Sequence, residues 1–324
     1  MNEFAQRPLT ESDASAYAAL TAATSAADES GHRADEAAFR FQLHHPLRAE
    51  GFEELQGIFD GNRLVAMAWI QRGSTAEEAH WMRADGAVHP DYRGRGLGTR
   101  LVRWQDGLAP RVHEKYFPDR PLEVTARLAD TNTAARELFA AEGYEPIRWS
   151  CQMRRPAHAP DPDTELPGGL EIEPFTPAVA EELRHAHNEI FADHFRGAPW
   201  TAEAWQAWIS QEKIRHDLSF LLRDPAAEGA IAGFVVSSHA AAADPAPGAL
   251  DLHLNMVGTR RAHRGRGVAS GLIAHIVRES RRHGFATHSL GVDAENPTGA
   301  LAVYERSGFI VERKYVLYNK VFEL

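Results

Sequence analysis

The chain has 324 residues, 44% hydrophobic and 25% charged, a length and balance that suit two packed domains and exclude intrinsic disorder. Its 35 basic and 45 acidic residues give a net charge of −10, which argues against nucleic acid or an anionic membrane as partner, and its one cysteine, Cys151, leaves no internal disulfide, thiolate metal site or iron–sulfur cluster. No apolar run approaches the ~20 residues of a membrane helix, and the polar, acid-bearing start MNEFAQRPLT does not read as a secretory leader, so a cytoplasmic protein is expected.

In chain order, hydrophobic alternation predicts strands over residues 56–59, 64–70, 79–88 and 122–128 of the first half. The segment PAHAPDPDTELPGG, residues 156–169, is rich in Pro, Gly and Asp without periodicity and reads as an extended, solvated linker. A strand over 170–176, a helix over 177–196 and a second helix after Thr201, its cap, open the second half. Strands over 217–222, 231–238 and 250–258 follow, then a helix over 267–283, a strand over 287–293, a helix over 297–306 and a last strand region over 310–321. Domains are therefore expected at 1–155 and 170–324, each an α/β unit with a mixed sheet covered by helices.

The two halves are copies. VHPDYRGRGLGTRLV in the first matches GTRRAHRGRGVASGLI in the second, and LEVTARLADTNTAARELFAAEGYEP matches HSLGVDAENPTGALAVYERSGFIVE downstream. Arg93, Gly94, Arg95, Gly96, Leu97 and Gly98 correspond to Arg264, Gly265, Arg266, Gly267, Val268 and Ala269. Between a strand and a helix, glycines can aim successive N–H groups one way, and at a helix start those donors meet the positive end of the helix dipole. The result is a cradle for phosphate. An ordinary tight turn is the competing reading for one copy, and the second copy weighs against it. The fourth slots, Thr99 and Ser270, break the Gly-x-Gly-x-x-Gly dinucleotide pattern, and no Gly-x-x-x-x-Gly-Lys-Ser/Thr run exists.

This turn after a strand, followed by Asn and then by Tyr-Glu-x-x-Gly-Phe, resembles the GNAT superfamily of acetyl-CoA-dependent N-acetyltransferases, twice over nearly the whole chain. The resemblance implies two tandem GNAT-like domains, each a mixed, mostly antiparallel sheet covered by helices. It implies acetyl-CoA as cosubstrate, its pyrophosphate held by Arg264, Gly265, Arg266, Gly267, Val268 and Ala269, and by Arg93, Gly94, Arg95, Gly96, Leu97 and Gly98 if the first half binds coenzyme. Asn296 and Asn132 map onto the family's contact to the pantetheine or sulfur region, and a backbone N–H at Met256 or Val257 onto its oxyanion donor.

Transfer from a thioester to an amine moves two protons, one off the amine and one onto the departing thiolate. Tyr304, four residues before Gly308, stands at the family's tyrosine position, whereas its counterpart before Gly143 is Phe139. The second half is therefore expected to be competent and the first degenerate, unless Tyr304 merely packs on the sheet. Alternation in 250–256 groups Leu252, Leu254 and Met256 on one face and Asp251, His253 and Asn255 on the other. His253 suits the base by titrating near neutrality. Many relatives carry Glu there, a histidine bonded to a polar neighbour is the competing reading, and Asp251 is the reserve candidate.

Phe191, His194, Phe195, Trp200, Trp205 and Trp208 either wall an acceptor pocket or, as their helical spacing favours, pack the core. His185, His187 and His194 beside Glu189 and Asp193 form no metal motif, so no metal is expected. The functional expectation is direct transfer to the primary amine of a small molecule by a monomer or homodimer with no nucleic-acid or membrane partner. The alternatives are an enzyme modifying an antibiotic or other amine and a coenzyme A-binding regulator without turnover.

Overall fold

The computed structural model describes residues 4–28, 34–44, 54–73, 75–192, 194–195, 199–241, 250–295 and 299–323. In chain order its elements are β1 (Ala5–Pro8), α1 (Ala14–Ala27), α2 (Glu36–Leu43), β2 (Leu55–Asp60), β3 (Arg63–Arg72), β4 (His80–Val88), α3 (Leu97–Tyr116), β5 (Leu122–Ala129), α4 (Thr133–Ala141) and β6 (Glu145–Pro156). They continue with β7 (Glu171–Pro174), α5 (Ala180–Ile190), α6 (Ala202–Ile209), β8 (Phe220–Asp224), β9 (Ala230–Ala241), β10 (Leu250–Thr259), α7 (Val268–Ser280), β11 (Phe285–Asp293), α8 (Ala300–Arg306) and β12 (Ile310–Phe322).

Two compact units result, Met1–Ser150 with Arg313–Leu324, and Cys151–Glu312. They are not the sequence halves, and the expected boundary around 156–169 falls inside the second unit. The first unit orders its strands β1-β2-β3-β4-β5-β12, with Tyr315–Phe322 of β12 antiparallel to Leu122–Ala129 of β5. The second orders them β6-β11-β10-β9-β8-β7, and the part of β6 that it contains puts Cys151 and Met153 into its core. Each unit contains a parallel pair of neighbours, β4 with β5 and β10 with β11. A parallel pair needs a crossover, and α3 and α7 supply it.

Those crossover helices form because their apolar positions recur at helical spacing. Val268, Leu272, Ile273, Ile276 and Val277 of α7 are buried against Leu252, Leu254, Leu290 and Phe309. In the first unit Val102, Leu108, Ala109 and Val112 of α3 meet Met82, Ala84, Val124 and Ala126 in the same way. The opposite sheet face of the second unit is covered by α5 and α6, whose Leu183, Ile190, Trp205 and Ile209 pack on Phe234 and Val236. Thr201 caps α6 as expected, its hydroxyl accepting from Ala204 N at 3.2 Å. The helix expected over 177–196 is shorter, Ala180–Ile190. The start of the helix expected over 297–306 lies outside the described residues, and α8 begins at Ala300.

The segment 156–169 is not solvated along its length. Arg278 donates to Thr164 O at 2.7 Å and Pro162 O at 3.3 Å, Arg281 donates to Ala159 O at 2.9 Å, and Leu166 packs on the core. Gly271 lets it lie close on α7, since a Cβ there would stand 3.1 Å from Glu165 O. At its start Arg155, fully buried, donates to the carbonyls of Pro156, Ala159 and Pro160, and to Ser307 O at the end of α8.

Candidate active site

The parallel pairs do not run to their ends. β10 and β11 are paired from Leu250↔Phe285 to Leu254↔Leu290 and then part, while β10 stays paired with β9 as far as Thr259↔Gly233. β4 and β5 part in the same way after Ala84↔Ala126. Each unit therefore has a splayed cleft with main-chain groups along its edges. Arg260 N donates to Ala232 O, at 2.9 Å. By strand alternation Gly258 and Met256 also turn to β9, which leaves Val257 turning its N–H into the cleft.

At the mouth of that cleft the two units differ by one residue. The register of β10 against β9 slips between Leu254 and Met256, a β-bulge at Asn255, whereas β4 runs against β3 without a slip from Ala66↔Val88 to Arg72↔Met82. The extra residue inverts the alternation. Leu252 and Leu254 face α7, but Met256 joins the core beneath α5 and α6 while Val257 turns to the α7 side. Met256 therefore does not share a face with Leu252 and Leu254, contrary to the strict alternation expected.

The glycine turns take the same shape twice. Gly265 and Gly267 have φ of +74° and +82°, and Gly94 and Gly96 +72° and +77°, a region that side-chain-bearing residues rarely adopt. No side chain caps α7, whose first internal bond runs from Gly271 N to Gly267 O at 2.8 Å, so the N–H groups of Val268, Ala269 and Ser270 precede the helical ladder. In α3 that first bond is Arg100 N to Gly96 O, 3.0 Å, which leaves Leu97, Gly98 and Thr99 in the same position. One pin recurs behind each turn. His263 Nε2 lies 2.8 Å from Asp224 at the end of β8, and the Tyr92 hydroxyl donates to Asp60 at the end of β2, at 2.9 Å.

The loop arginines differ. Arg93 is held by both oxygens of Asp28, each at 2.8 Å, and Arg95 by Asp91 O. Arg264, like Arg93 at Val88 O, donates to the strand before it, at Thr259 O, but its second bond goes to Ile190 O rather than to a carboxylate, and Arg266 is exposed. The cationic charge of Arg264 is thus free of a carboxylate partner among the described residues.

Tyr304 and Phe139 occupy matched places on α8 and α4, each 8% exposed. Each meets a second ring edge-on, Tyr304 with Phe309 at 6.2 Å and Phe139 with Tyr144 at 5.0 Å. The hydroxyl has changed places between the repeats: Tyr144 donates to Asp106 at 2.7 Å, whereas the hydroxyl of Tyr304 has no hydrogen-bond partner among the described residues. Burial pushes the Tyr304 phenol up to about 12, so it keeps its proton at neutral pH.

His253 and Asp251 lie on the opposite sheet face, with Thr287 and Ser289 as their register partners on β11. His253 Nδ1 is 2.9 Å from Ser289 Oγ, Ser289 donates to Asp251 Oδ2, and Thr287 donates to Asp251 Oδ1 at 2.5 Å. Burial lowers the His253 pKa, against a rise caused by Asp251, and Lys213 lowers it further. The imidazole thus titrates below the ordinary histidine value. At the position of His253 the first unit has Arg83, beside Asp85 at 3.5 Å and over the Trp69 ring. Ser289 and Thr287 were missed in sequence. The signal available was Thr-x-Ser on one strand matching Asp-x-His on its parallel neighbour.

Asn132 sits at the N-cap of α4, its Oδ1 accepting from Ala135 N at 3.1 Å, and Asn296 lies outside the described residues. Trp205 is core, donating to Ala180 O at 2.8 Å, and Phe191, Trp200 and Trp208 pack beside it. His185 pairs with Glu181 at 3.1 Å and His187 stacks on Phe191; among the described residues no three potential ligands converge on a metal position. Asp193 lies outside those residues. No helix of the described residues is long and apolar enough to cross a membrane.

A splayed parallel strand pair leading through a glycine turn into an uncapped helix, present twice, defines a tandem acyltransferase fold. Residues 180–309 match the acetyltransferase (GNAT) family and residues 56–146 an acetyltransferase (GNAT) domain. The chain belongs to the GNAT acetyltransferase family, as a member with two domains in tandem, and it is an acyltransferase. It is similar to a mycothiol acetyltransferase of Parafrankia sp., 31% identical over 334 positions that cover 97% of each chain. Another of that name, from Thermobispora bispora, is 30% identical over 265 positions, 81% of this chain and 82% of the relative. The solved GCN5-related N-acetyltransferase of Sphaerobacter thermophilus matches with a TM-score of 0.76 at 27% identity, covering 98% of this chain and 95% of its own. A tandem GNAT protein from the clavulanic acid biosynthesis pathway shares the fold, with a TM-score of 0.70 at 20% identity over 98% of both chains. Members of the family use acetyl-CoA.

Proposed function

We propose that the protein transfers an acetyl group from acetyl-CoA to the primary amine of a small molecule, and that the second unit alone carries out the transfer. The coenzyme supplies an acetyl thioester. The N–H groups of Val268, Ala269 and Ser270 would hold its diphosphate, with Arg264 and Arg266 adding charge at a helix start that already favours anions. Val257 N–H would stabilise the charge that grows on the carbonyl oxygen. His253 Nε2 would take the proton from the acceptor ammonium, and Tyr304, neutral at working pH, would give one to the leaving sulfur. In this scheme Asp251 orients rather than abstracts, since both its oxygens accept from hydroxyl groups.

The observation that carries this reading is the asymmetry between the units. The bulge at Asn255, the phenol of Tyr304 and the hydroxyl-backed His253 have as their counterparts an unbulged strand, Phe139 and Arg83. The first unit would then bind coenzyme without turnover or serve as a scaffold. For the acceptor, the chain's likeness to mycothiol acetyltransferases along its length favours a cysteinyl amine carried on a sugar–inositol scaffold. The test is release of free thiol from acetyl-CoA over a panel of amines that includes a cysteinyl-glucosamine mimic. Turnover with that mimic and its loss in Tyr304→Phe are expected; coenzyme binding without thiol release from any amine would refute the reading.

A further inference from the structure

Asp251 is a buried carboxylate, 5% exposed, with no Lys or Arg paired to it among the described residues. A carboxylate taken out of water needs compensation, and here hydroxyl groups supply it, Thr287 at one oxygen and Ser289 at the other. Ser289, itself 3% exposed, has a single proton, and that proton is directed at Asp251. Its oxygen can then only accept from His253 Nδ1, 2.9 Å away. A histidine donating through Nδ1 is either protonated on both nitrogens or carries its lone pair on Nε2. No described residue hydrogen-bonds Nε2, so the free end of the ring is the one that could meet an acceptor.

We propose that Ser289, backed by Asp251 and Thr287, is a positioning residue that fixes the Nδ1–H tautomer of His253 and thereby presents Nε2 as the base. The proposal rests on the reading of His253 as the proton acceptor. When Nε2 takes a proton the ring becomes cationic, and Asp251, the carboxylate that His253 feels, answers it through one hydroxyl. Lys213 is the opposing charge that His253 feels. The first unit has no such chain: the partners at the corresponding positions are Arg83 and Thr125, and Thr125 donates to Met82 O.

The test reads the tautomer directly on the full chain by two-bond proton–nitrogen correlation of ¹⁵N-histidine-labelled protein, with His253→Gln assigning the signal. The expected parent spectrum at neutral pH is Nδ1–H. In Ser289→Ala the signal should move toward Nε2–H, the form that histidine otherwise favours, while Ser289→Thr keeps Nδ1–H. In the same samples Ser289→Ala should lower kcat about tenfold or more, up to the ~10²–10⁴-fold that a positioned acid–base group contributes, with KM for acetyl-CoA unchanged, and Ser289→Thr should restore most of it. An Nε2–H parent, or an Nδ1–H signal that survives in Ser289→Ala, overturns the proposal. The parent measurement decides even where the alanine variant fails to fold. A parent that is Nδ1–H but releases no thiol with any amine refutes the transfer reading and, with it, the role of Nε2 as base, and leaves only the assignment of the tautomer to Ser289.

Discussion

Replacing Gly267 and Gly96 by alanine, one at a time, separates what the glycine turn does for the fold from what it does for the reaction. The two positions are matched: φ is +82° at Gly267 and +77° at Gly96, each immediately precedes its helix, and a Cβ at either meets nothing within 4 Å. Sterics therefore add no cost, and the strain is that of an alanine held in the left-handed region, ~1–2 kcal/mol. If the turn keeps its shape, that strain lowers the melting temperature by ~2–8 °C, at ~2–4 °C per kcal/mol for units of this size. If the turn relaxes, the N–H groups of the helix start turn away, and acetyl-CoA must restore them on binding. Affinity then falls by up to the same energy, ~5–30-fold. Thermal unfolding and kcat/KM for acetyl-CoA measured on both variants give the answer. Both should lose stability, or relax, to a similar degree, and any loss of kcat/KM should be confined to Gly267→Ala. An equal loss in Gly96→Ala, or full kcat/KM in Gly267→Ala at an unchanged melting temperature, refutes the reasoning.

Tyr304→Phe should reduce kcat by ~10²–10³ with little change in stability at pH 7, read by initial rates and thermal unfolding, because the hydroxyl it removes has no partner among the described residues. The same variant has an alkaline signature. The buried phenol is raised to about 12 from 10, so the neutral form favours the fold below pH 10, and that preference is lost between pH 10 and 12; denaturant unfolding at pH 8 and 11.5 should show Tyr304→Phe spared part of an alkaline loss that approaches ~3 kcal/mol at its limit. The rising limb of the kcat/KM–pH profile should be displaced to the acid side of the ordinary histidine value, and Lys213→Met, which removes a lowering charge, should move it to higher pH; a limb that stays in place would remove His253 from the proton path. Arg155→Met should lower stability by ~3 kcal/mol or more, seen in thermal unfolding, since it leaves the carbonyls of Ser307, Pro156, Ala159 and Pro160 without their buried donor.

Much of this architecture was legible in the sequence because it is written in local signals. The Arg-Gly-Arg-Gly turns, the strand before each and the amphipathic helix after each are short-range features, and their duplication gave the tandem layout. Tyr304 against Phe139 was readable from the spacing to Gly308 and Gly143 once the family resemblance had marked the tyrosine position. What escaped was either long-range or one residue wide. That β12 pairs with β5 follows from contacts between segments nearly two hundred residues apart, which periodicity does not encode. The bulge at Asn255 shows in sequence only as one extra residue between the last paired position of β10 and Arg264, compared with Ala84 to Arg93. Without it, strict alternation placed Met256 on the wrong face. The Pro- and Asp-rich segment after Arg155 has the composition of a solvated linker, and only the placement of Arg278, Arg281 and Gly271 shows it docked. Burial, which sequence leaves open, set the direction in which His253 titrates.

The most direct test of the central claim is a structure of the chain soaked or co-crystallised with acetyl-CoA. The account predicts the diphosphate within hydrogen-bond distance of the N–H groups of Val268, Ala269 and Ser270, with the sulfur between the parted ends of β10 and β11 and the Tyr304 hydroxyl directed at it. Acetyl-CoA bound only at the turn of residues 93–98, or a sulfur out of reach of Tyr304, would contradict it.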